Sequence, residues 1–314
     1  MNRHHTAPYR DTSVLVTGGA GFIGSYIVER LVSLGARVTV LDNFATGTHN
    51  NIAHLHGITV IEGSVTDIQT CTYAVEDCKY VFHLAGFVSV PDSMTNPTQC
   101  HATNVTGTVN ILEACRHAYV KHVMLSSSSA VYGNLSGACT ETSPCNPTSP
   151  YGLSKLIAEN YCRLYSKAFG LKTTSLRYFN VYGSRQNPHG AYAAVVAKFT
   201  KQLKANAPII VYGDGTQTRD FIPVAQVVDA NLTLALDPNA DGDVYNIATG
   251  RSVNLLELIE QLKQEYPDST STVSFEPARK GDILHSQADC TKYHTKLKSL
   301  SHRHTEQLTT SAYQ

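Results

Sequence analysis

No stretch of this 314-residue chain approaches the ~20 consecutive apolar residues that a membrane-spanning helix needs. The opening MNRHHTAPYR is too polar for a secretory leader. Charge of either sign is not in excess: Lys+Arg and Asp+Glu stand at 25 each, so no basic surface invites nucleic acid or an anionic membrane. The eight cysteines make no C-x-x-C and no Cys/His ligand spacing, and reduced thiols in a cytoplasmic protein are expected. Fourteen histidines suggest metal chemistry, but no H-E-x-x-H or carboxylate cluster accompanies them, and no metal is expected. Internal repeats and low-complexity segments are also missing. What remains is a chain long enough for one large or two modest domains with a substantial core.

The first informative stretch is Ser13-Val14-Leu15-Val16-Thr17, an apolar run that ends in Gly18-Gly19-Ala20-Gly21-Phe22-Ile23-Gly24. Ile27, Leu31 and Leu34 then follow at helical spacing, so the order is strand, glycine turn, helix. In that context Gly18 permits the tight turn, Gly21 lets backbone approach a pyrophosphate and Gly24 lets helix pack on strand. A helix N-terminus offers N–H groups to phosphate. A second run, 36–42, ends on Asp42, 18 residues past Gly24, where a carboxylate would meet a ribose 2′-hydroxyl. It would repel a 2′-phosphate, and Asn43-Phe44-Ala45-Thr46 supplies no arginine, so NAD is expected over NADP.

Further strands are predicted over 58–62 and 80–85, and helices over 66–75 and 102–118. This alternation means an α/β protein with a parallel sheet covered on both faces. His83, at the end of a buried strand, reads as a hydrogen-bonded core histidine. Asn104 reads either as a cap or as an active-site polar group.

The centre of the chain is Ser126-Ser127-Ser128-Ser129-Ala130-Val131-Tyr132-Gly133, followed by Pro150-Tyr151-Gly152-Leu153-Ser154-Lys155. Tyr151 and Lys155 stand four apart, one above the other on a helix. One positive charge at ~4 Å and an effective dielectric near 20 is worth about 4 kcal/mol. At roughly 1.36 kcal/mol per pH unit, that would lower a phenol from ~10 to about 7, the range of a general base. A surface Tyr–Lys pair has the same spacing, so the pair alone does not assign a role.

TGGAGFIGS (17–25), HLAG (83–86), SSSSAVYG (126–133), SPYGLSK (149–155) and RYFNVYG (177–183) together resemble an extended short-chain dehydrogenase/reductase of the nucleotide-sugar 4-epimerase type, over roughly Thr12 to Asp289. The resemblance implies a Rossmann-type doubly wound parallel sheet over residues 1–180. A smaller α/β C-terminal substrate-binding domain would follow over 181–314, with some of its chain returning to the first sheet. It implies Tyr151 as base, Lys155 as its tuning residue and ribose ligand, and Ser128 as the active-site hydroxyl. Phe22, Ile23, Asn43, Ser64, Val65, Leu84, Ala85 and Gly86 join the glycines and Asp42 as NAD contacts. Asn180, Tyr212, Arg219 of GDGTQTRDF (213–221), Arg279 and Asp282 would hold a UDP-sugar, and two guanidiniums suit a diphosphate.

Relatives that eliminate water carry an Asp-Glu pair directly after the serine, and decarboxylating relatives carry a Glu before the VYG. Here Ser129 and Ala130 occupy those positions, so oxidation followed by reduction at C4 of a UDP-hexose is the expected chemistry. Ser286, five past Gly281, walls the sugar pocket by resemblance, with Ser89 and Ala194. Its small side chain leaves room for a 2-acetamido group, so interconversion of UDP-N-acetylglucosamine and UDP-N-acetylgalactosamine leads, with UDP-glucose and UDP-galactose also accepted. A UDP-glucuronate 4-epimerase, which would need a cation near C6, and an NAD-dependent nucleotide-sugar oxidoreductase are the alternatives.

The resemblance also implies a homodimer through a four-helix bundle built from segments near 102–118 and 151–169. The chain departs from it at Ser64, where relatives often have Asp, and at Ala225-Gln226, where an acidic pair is common. It departs again from Tyr293 onward, where a polar, tryptophan-free segment predicts a frayed or differently docked end.

Overall fold

The computed structural model describes residues 9–135, 137–186, 195–278 and 285–310, with side chains up to residue 300. Seven parallel strands form the main sheet: β1 (Ser13–Thr17), β2 (Arg37–Asp42), β3 (Thr59–Glu62), β4 (Tyr80–His83), β5 (His122–Ser128), β6 (Thr173–Tyr178) and, from far along the chain, Asp243–Ile247. Their spatial order is Asp243–Ile247, β6, β5, β4, β1, β2, β3, so the strand order reverses between β1 and β4. Val14, Leu15 and Val16 are fully buried in succession, because a parallel sheet covered on both faces has no solvent side.

Helices α1 (Phe22–Ser33), α2 (Ile68–Val75), α3 (Val90–Thr95), α4 (Pro97–His101), α5 (Gly107–His117) and α6 (Pro150–Phe169) connect these strands. Ile27, Val28 and Leu31 of α1 share one core with Val224, Val227 and Val228 on one face of the sheet. Cys71, Val75, Ile111, Leu112, Ala158 and Cys162, from α2, α5 and α6, fill the other.

Several ends have local causes. Asp67 accepts from the backbone N–H of Gln69 and Thr70, which sets the start of α2 two residues later than the apolar pattern indicates. The single helix expected over 102–118 is a π turn over Ala102–Thr106 leading into α5. There the Asn104 side chain is drawn out to Phe87 and Ser154, while Thr108 Oγ1 donates to the Asn104 carbonyl at 2.6 Å. Helix α6 opens on Ser149, whose hydroxyl accepts from Gly152 N, has Pro150 at its first turn, and stops at Gly170 with φ 68°.

Beyond β6 the chain builds a smaller lobe from β7 (Asn180–Tyr182), α7 (Val195–Lys204), β8 (Ile209–Tyr212) and β9 (Thr218–Pro223). It then returns to the main sheet through α8 (Val224–Ala235) and β10 (Asp243–Ile247), which pairs in parallel with β6. β11 (Ser252–Asn254), α9 (Leu255–Glu265) and β12 (Val273–Glu276) complete the lobe, in sheets of order β11-β9-β7 and β12-β8.

The polar end of the described chain is a helix, α10 (Thr291–Thr310). It is docked by charge: Lys292 Nζ donates to Asp243 at 2.6 Å, and Lys296 Nζ lies 2.9 Å from buried Asp237. Among the described residues no helix is long and apolar enough to cross a membrane.

Candidate active site

The glycine turn between β1 and α1 leaves no room for a side chain at Gly18 or Gly24. A Cβ on Gly18, whose φ is +69°, would lie 2.6 Å from the Ala85 amide nitrogen and 2.8 Å from the Leu84 carbonyl carbon. One on Gly24 would lie 2.1 Å from the Gly18 carbonyl oxygen, and one on Gly21 3.1 Å from the same atom. Helix α1 begins at Phe22 with no side-chain cap, so its first N–H groups face the turn. That is a cradle fit for a pyrophosphate, at the C-terminal edge of the sheet where the strand order reverses. Phe22 and Ile23 lean on the core beneath it.

Asp42 ends β2 as expected, but it is only 7% exposed and also serves the protein itself. Its Oδ2 accepts from Ala20 N and its Oδ1 from Phe44 N, each at 2.9 Å. The carboxylate thus ties the glycine turn to the loop after β2, with a further lone pair on each oxygen available to a ribose. Asn43 Oδ1 accepts from Ala45 N and shapes that loop. Ser64 Oγ hydrogen-bonds Thr66 at 2.8 Å. Val65 is 4% exposed and packs in the core, and its carbonyl accepts from Cys71 Sγ and Asn110 Nδ2. Ala85 N donates to Thr17 Oγ1, and a Cβ on Gly86 would come within 3.2 Å of Lys155 Nζ.

Strand β5 and helix α6 bring Ser128, Tyr151 and Lys155 together. Ser128 Oγ accepts from Ala130 N at 3.1 Å, which leaves its proton for the Tyr151 phenol, and that hydrogen bond favours the phenolate. Lys155 is 5% exposed; its Nζ donates to the Ser126 carbonyl at 2.8 Å and lies 5.9 Å from the Tyr151 ring centre. The expected acidified phenol is corrected here. Protein crowds the Tyr151 hydroxyl, and this desolvation raises the phenol above its ordinary value despite the Ser128 hydrogen bond. Burial also lowers Lys155, to about 8, against the opposing pull of Cys100 and Glu159. Sequence spacing conveys the ammonium's charge but not the cost of burying both groups.

On the sugar side, Ser89 caps α3 by accepting from Asp92 N. Asn180 Nδ2 donates to the Asp220 carbonyl, joining β7 to β9. Tyr212 carries Lys198 Nζ 5.3 Å from its ring centre. Arg219 Nη1 donates to its neighbour's carbonyl at Thr218, and Ser286 N donates to the same oxygen. Arg219 and Ser286 are therefore brought side by side from segments far apart in sequence. Ala194, Arg279 and Asp282 lie outside the described residues.

Several partners of the site emerge only from the structure, Ser93 and Asp220 without any sequence signal. Asn104, read from sequence as a cap or an active-site polar group, accepts from Phe87 N at 2.7 Å and donates to Phe87 O and Ser154 Oγ, bracing the segment after β4 against α6. Ser93, fully buried, accepts from Tyr151 N and holds the start of α6. Asp220, also fully buried, accepts from Thr249 and Gly250 and fixes the loop after β10. His83 is the core histidine expected, hydrogen-bonded to Thr17 and Thr108. All eight cysteines are free. Among the described residues no group of three or more His, Cys, Asp or Glu could hold a metal.

Residues 14–248 match the model of the NAD dependent epimerase/dehydratase family. A UDP-glucose 4-epimerase of Mycolicibacterium smegmatis is 37% identical over 286 residues, 88% of this chain and 90% of that one. A UDP-N-acetylglucosamine 4-epimerase of Methanobrevibacter ruminantium M1, solved with UDP-N-acetylmuramic acid, superimposes with a TM-score of 0.86 at 35% identity, covering 91% of each chain. A Thermus thermophilus UDP-glucose 4-epimerase in complex with NAD gives 0.84 at 35% identity, over 91% of this chain and 93% of that one.

Proposed function

Since this chain belongs to the NAD dependent epimerase/dehydratase family, we propose that it inverts C4 of UDP-hexoses by oxidising the sugar to a 4-ketose and reducing it again. One observation carries this reading. Ser128, Tyr151 and Lys155 converge at the end of β5 beside the glycine cradle, and the turn that follows, Ser129–Val131, offers no carboxylate. Elimination or decarboxylation would need an added proton-transfer group there, whereas epimerisation needs one base used twice.

NAD, when bound, supplies a cationic ring that takes a hydride from C4 and returns it. Gly18, Gly21, Gly24 and Asp42 hold the dinucleotide in this proposal, with Phe22, Ile23, Asn43, Ser64, Val65, Leu84, Ala85 and Gly86 around it. Lys155, fixed by Ser126, presents its remaining N–H groups to the nicotinamide ribose. Tyr151 acts as the phenolate that the Lys155 charge, the Ser128 hydrogen bond and a bound cationic nicotinamide would favour against desolvation; its oxygen receives the 4′-hydroxyl proton and returns it in the second half of the cycle. Arg219 and Arg279 grip the diphosphate, Tyr212 flanks the uracil, and Asn180, Ser89, Ala194, Asp282 and Ser286 line the sugar. The ketose turns over while the nucleotide stays held. Residues 1–180 thus mainly serve the cofactor and residues 181–314 mainly the UDP-sugar.

The small Ser286 supports UDP-N-acetylglucosamine/UDP-N-acetylgalactosamine as the preferred pair, with UDP-glucose/UDP-galactose also turned over. Exposed Leu153, Leu164 and Phe169 on α6 support pairing with a second copy through α5 and α6, and the free thiols suit a cytoplasmic enzyme. The test is incubation with each UDP-sugar, following the C4 epimers chromatographically and the absorbance of reduced nicotinamide. Epimer formation without net reduction supports the reading; reduced cofactor accumulating with substrate would replace it with a net oxidoreductase.

A further inference from the structure

Three consecutive serines of β5 each meet a different turn of α6. The Ser126 carbonyl holds Lys155, Ser128 meets Tyr151, and Ser127 Oγ donates to Glu159 Oε1 at 2.5 Å. Residues 151, 155 and 159 follow one another up a single helix face. Glu159 is also gripped from β6 by a forked pair: Arg177 Nε donates to Oε1 at 2.9 Å and Nη2 to Oε2 at 2.7 Å. Ser127, Glu159 and Arg177 are each 1–2% exposed. The guanidinium lies 4.7 Å from the Tyr132 ring centre, and the Tyr132 hydroxyl donates to Asn246 of β10 at 2.6 Å. One charged cluster therefore bolts α6 to three adjacent strands, one turn past the lysine.

Such a cluster is a poor means of stabilising a core, because well-packed apolar residues of the same volume often do as well or better. Its geometric effect is specific. A bidentate pair fixes rotation and translation of the helix together, and a displacement of about 1 Å at reacting groups can cost roughly 10²-fold in rate. Resting on the proposed role of Tyr151 and Lys155, we infer that Glu159, held by Arg177 and Ser127, is a positioning residue that sets the register of those two side chains against β5 and keeps the lysine charged.

The groups facing Lys155 support the second half of the inference. From α4 there is the Cys100 thiol, from β4 the His83 imidazole, from its own helix Tyr151 and Glu159, and from β5 the Ser126 carbonyl. His83 is buried and neutral, held far below its ordinary value by burial and the lysine's charge. Cys100 and, after it, Glu159 favour the ammonium; Glu159 is the carboxylate of the set, with part of its charge offset by Arg177.

The experiment compares the unchanged protein with Glu159→Gln, and with the charge-balanced Glu159→Gln/Arg177→Gln for the case in which the single variant does not fold. kcat and KM for UDP-glucose are measured across pH, and Lys155 is titrated by NMR in lysine-labelled protein. The expected result is kcat down about 10- to 100-fold, KM within about threefold, and a Lys155 titration displaced to lower pH in the single variant. The double variant should keep the kcat loss, with a smaller displacement. A folded variant with unchanged kcat and an unchanged lysine titration would overturn the inference. If the unchanged protein itself makes no C4 epimer, the proposed reaction fails, while the lysine titration still decides the role of Glu159.

Discussion

Lys155 reaches past its own helix to the carbonyl oxygen of Ser126, 2.8 Å away. That bond fixes the ammonium beside the Tyr151 ring and next to Gly86, where a side chain would strike it. The ammonium's position is thus tied to a backbone oxygen of β5, while Tyr151 is met by the side chains of Ser93 and Ser128.

Replacing Tyr151 by Phe removes the proposed proton acceptor and leaves ring and packing in place. Turnover should fall by about 10²- to 10⁴-fold, while calorimetric affinity for a UDP-sugar stays within about threefold. Turnover near that of the unchanged protein would remove Tyr151 from the mechanism.

Gly24→Ala places a methyl 2.1 Å from the Gly18 carbonyl oxygen, an approach that only backbone movement can relieve. Overpacking of this kind costs about 1–3 kcal/mol. Because the moved atoms form the proposed phosphate cradle, the NAD content of the purified protein should fall together with the urea midpoint. A variant that retains full NAD would show that the turn is not the dinucleotide site.

Ser286→Tyr should narrow the sugar pocket. One wall residue shifts discrimination by about 1–3 kcal/mol, or roughly 10- to 200-fold. UDP-N-acetylglucosamine turnover should drop by that order while UDP-glucose turnover changes little, as read by chromatography of both reactions. An equal loss with both sugars would assign Ser286 to the frame of the pocket, not its selectivity.

Two buried histidines should make the fold sensitive to acid. Burial holds His83 down to about 3, aided by the charge of Lys155, and holds His122 down to about 4. Both folded-state values lie below that of an unfolded histidine, so their contribution is complete above about pH 6.5. As pH falls below that, the unfolded chain binds protons that the folded chain refuses. Each histidine then costs roughly 1.4 kcal/mol per pH unit, until its own folded-state value is reached. Urea unfolding at pH 7, 6 and 5 should show this loss, and His122→Gln should remove about half of the histidine part of the slope. An unchanged slope in that variant would mean that His122 is protonated in the folded protein.

Periodicity and turn chemistry placed β1, the glycine turn and α1 directly, because each is a local property: Gly24 is glycine for the sake of an atom six residues away. The helix carrying Tyr151 and Lys155 was expected near 151–169 by resemblance, and the structure shows its start fixed by the Ser149 cap and Pro150. In the serine run only Ser128 was singled out, and that by resemblance. Ser126, Ser127 and Ser128 are chemically identical in sequence, and their separate partners Lys155, Glu159 and Tyr151 exist only once β5 lies against α6.

The amino-acid sequence alone determined the strand–turn–helix unit and the alternation that builds a parallel sheet, because these follow from neighbours a few residues apart; the candidate reactive side chains came from the resemblance of several motifs in order. Tertiary structure alone decided how acidic those side chains are. Desolvation depends on everything packed around a group, so it raised the Tyr151 phenol and lowered Lys155 where spacing had predicted only attraction. It also turned Asp42 inward to the glycine turn and closed Arg177 onto Glu159 across 18 residues, contacts that no local pattern encodes.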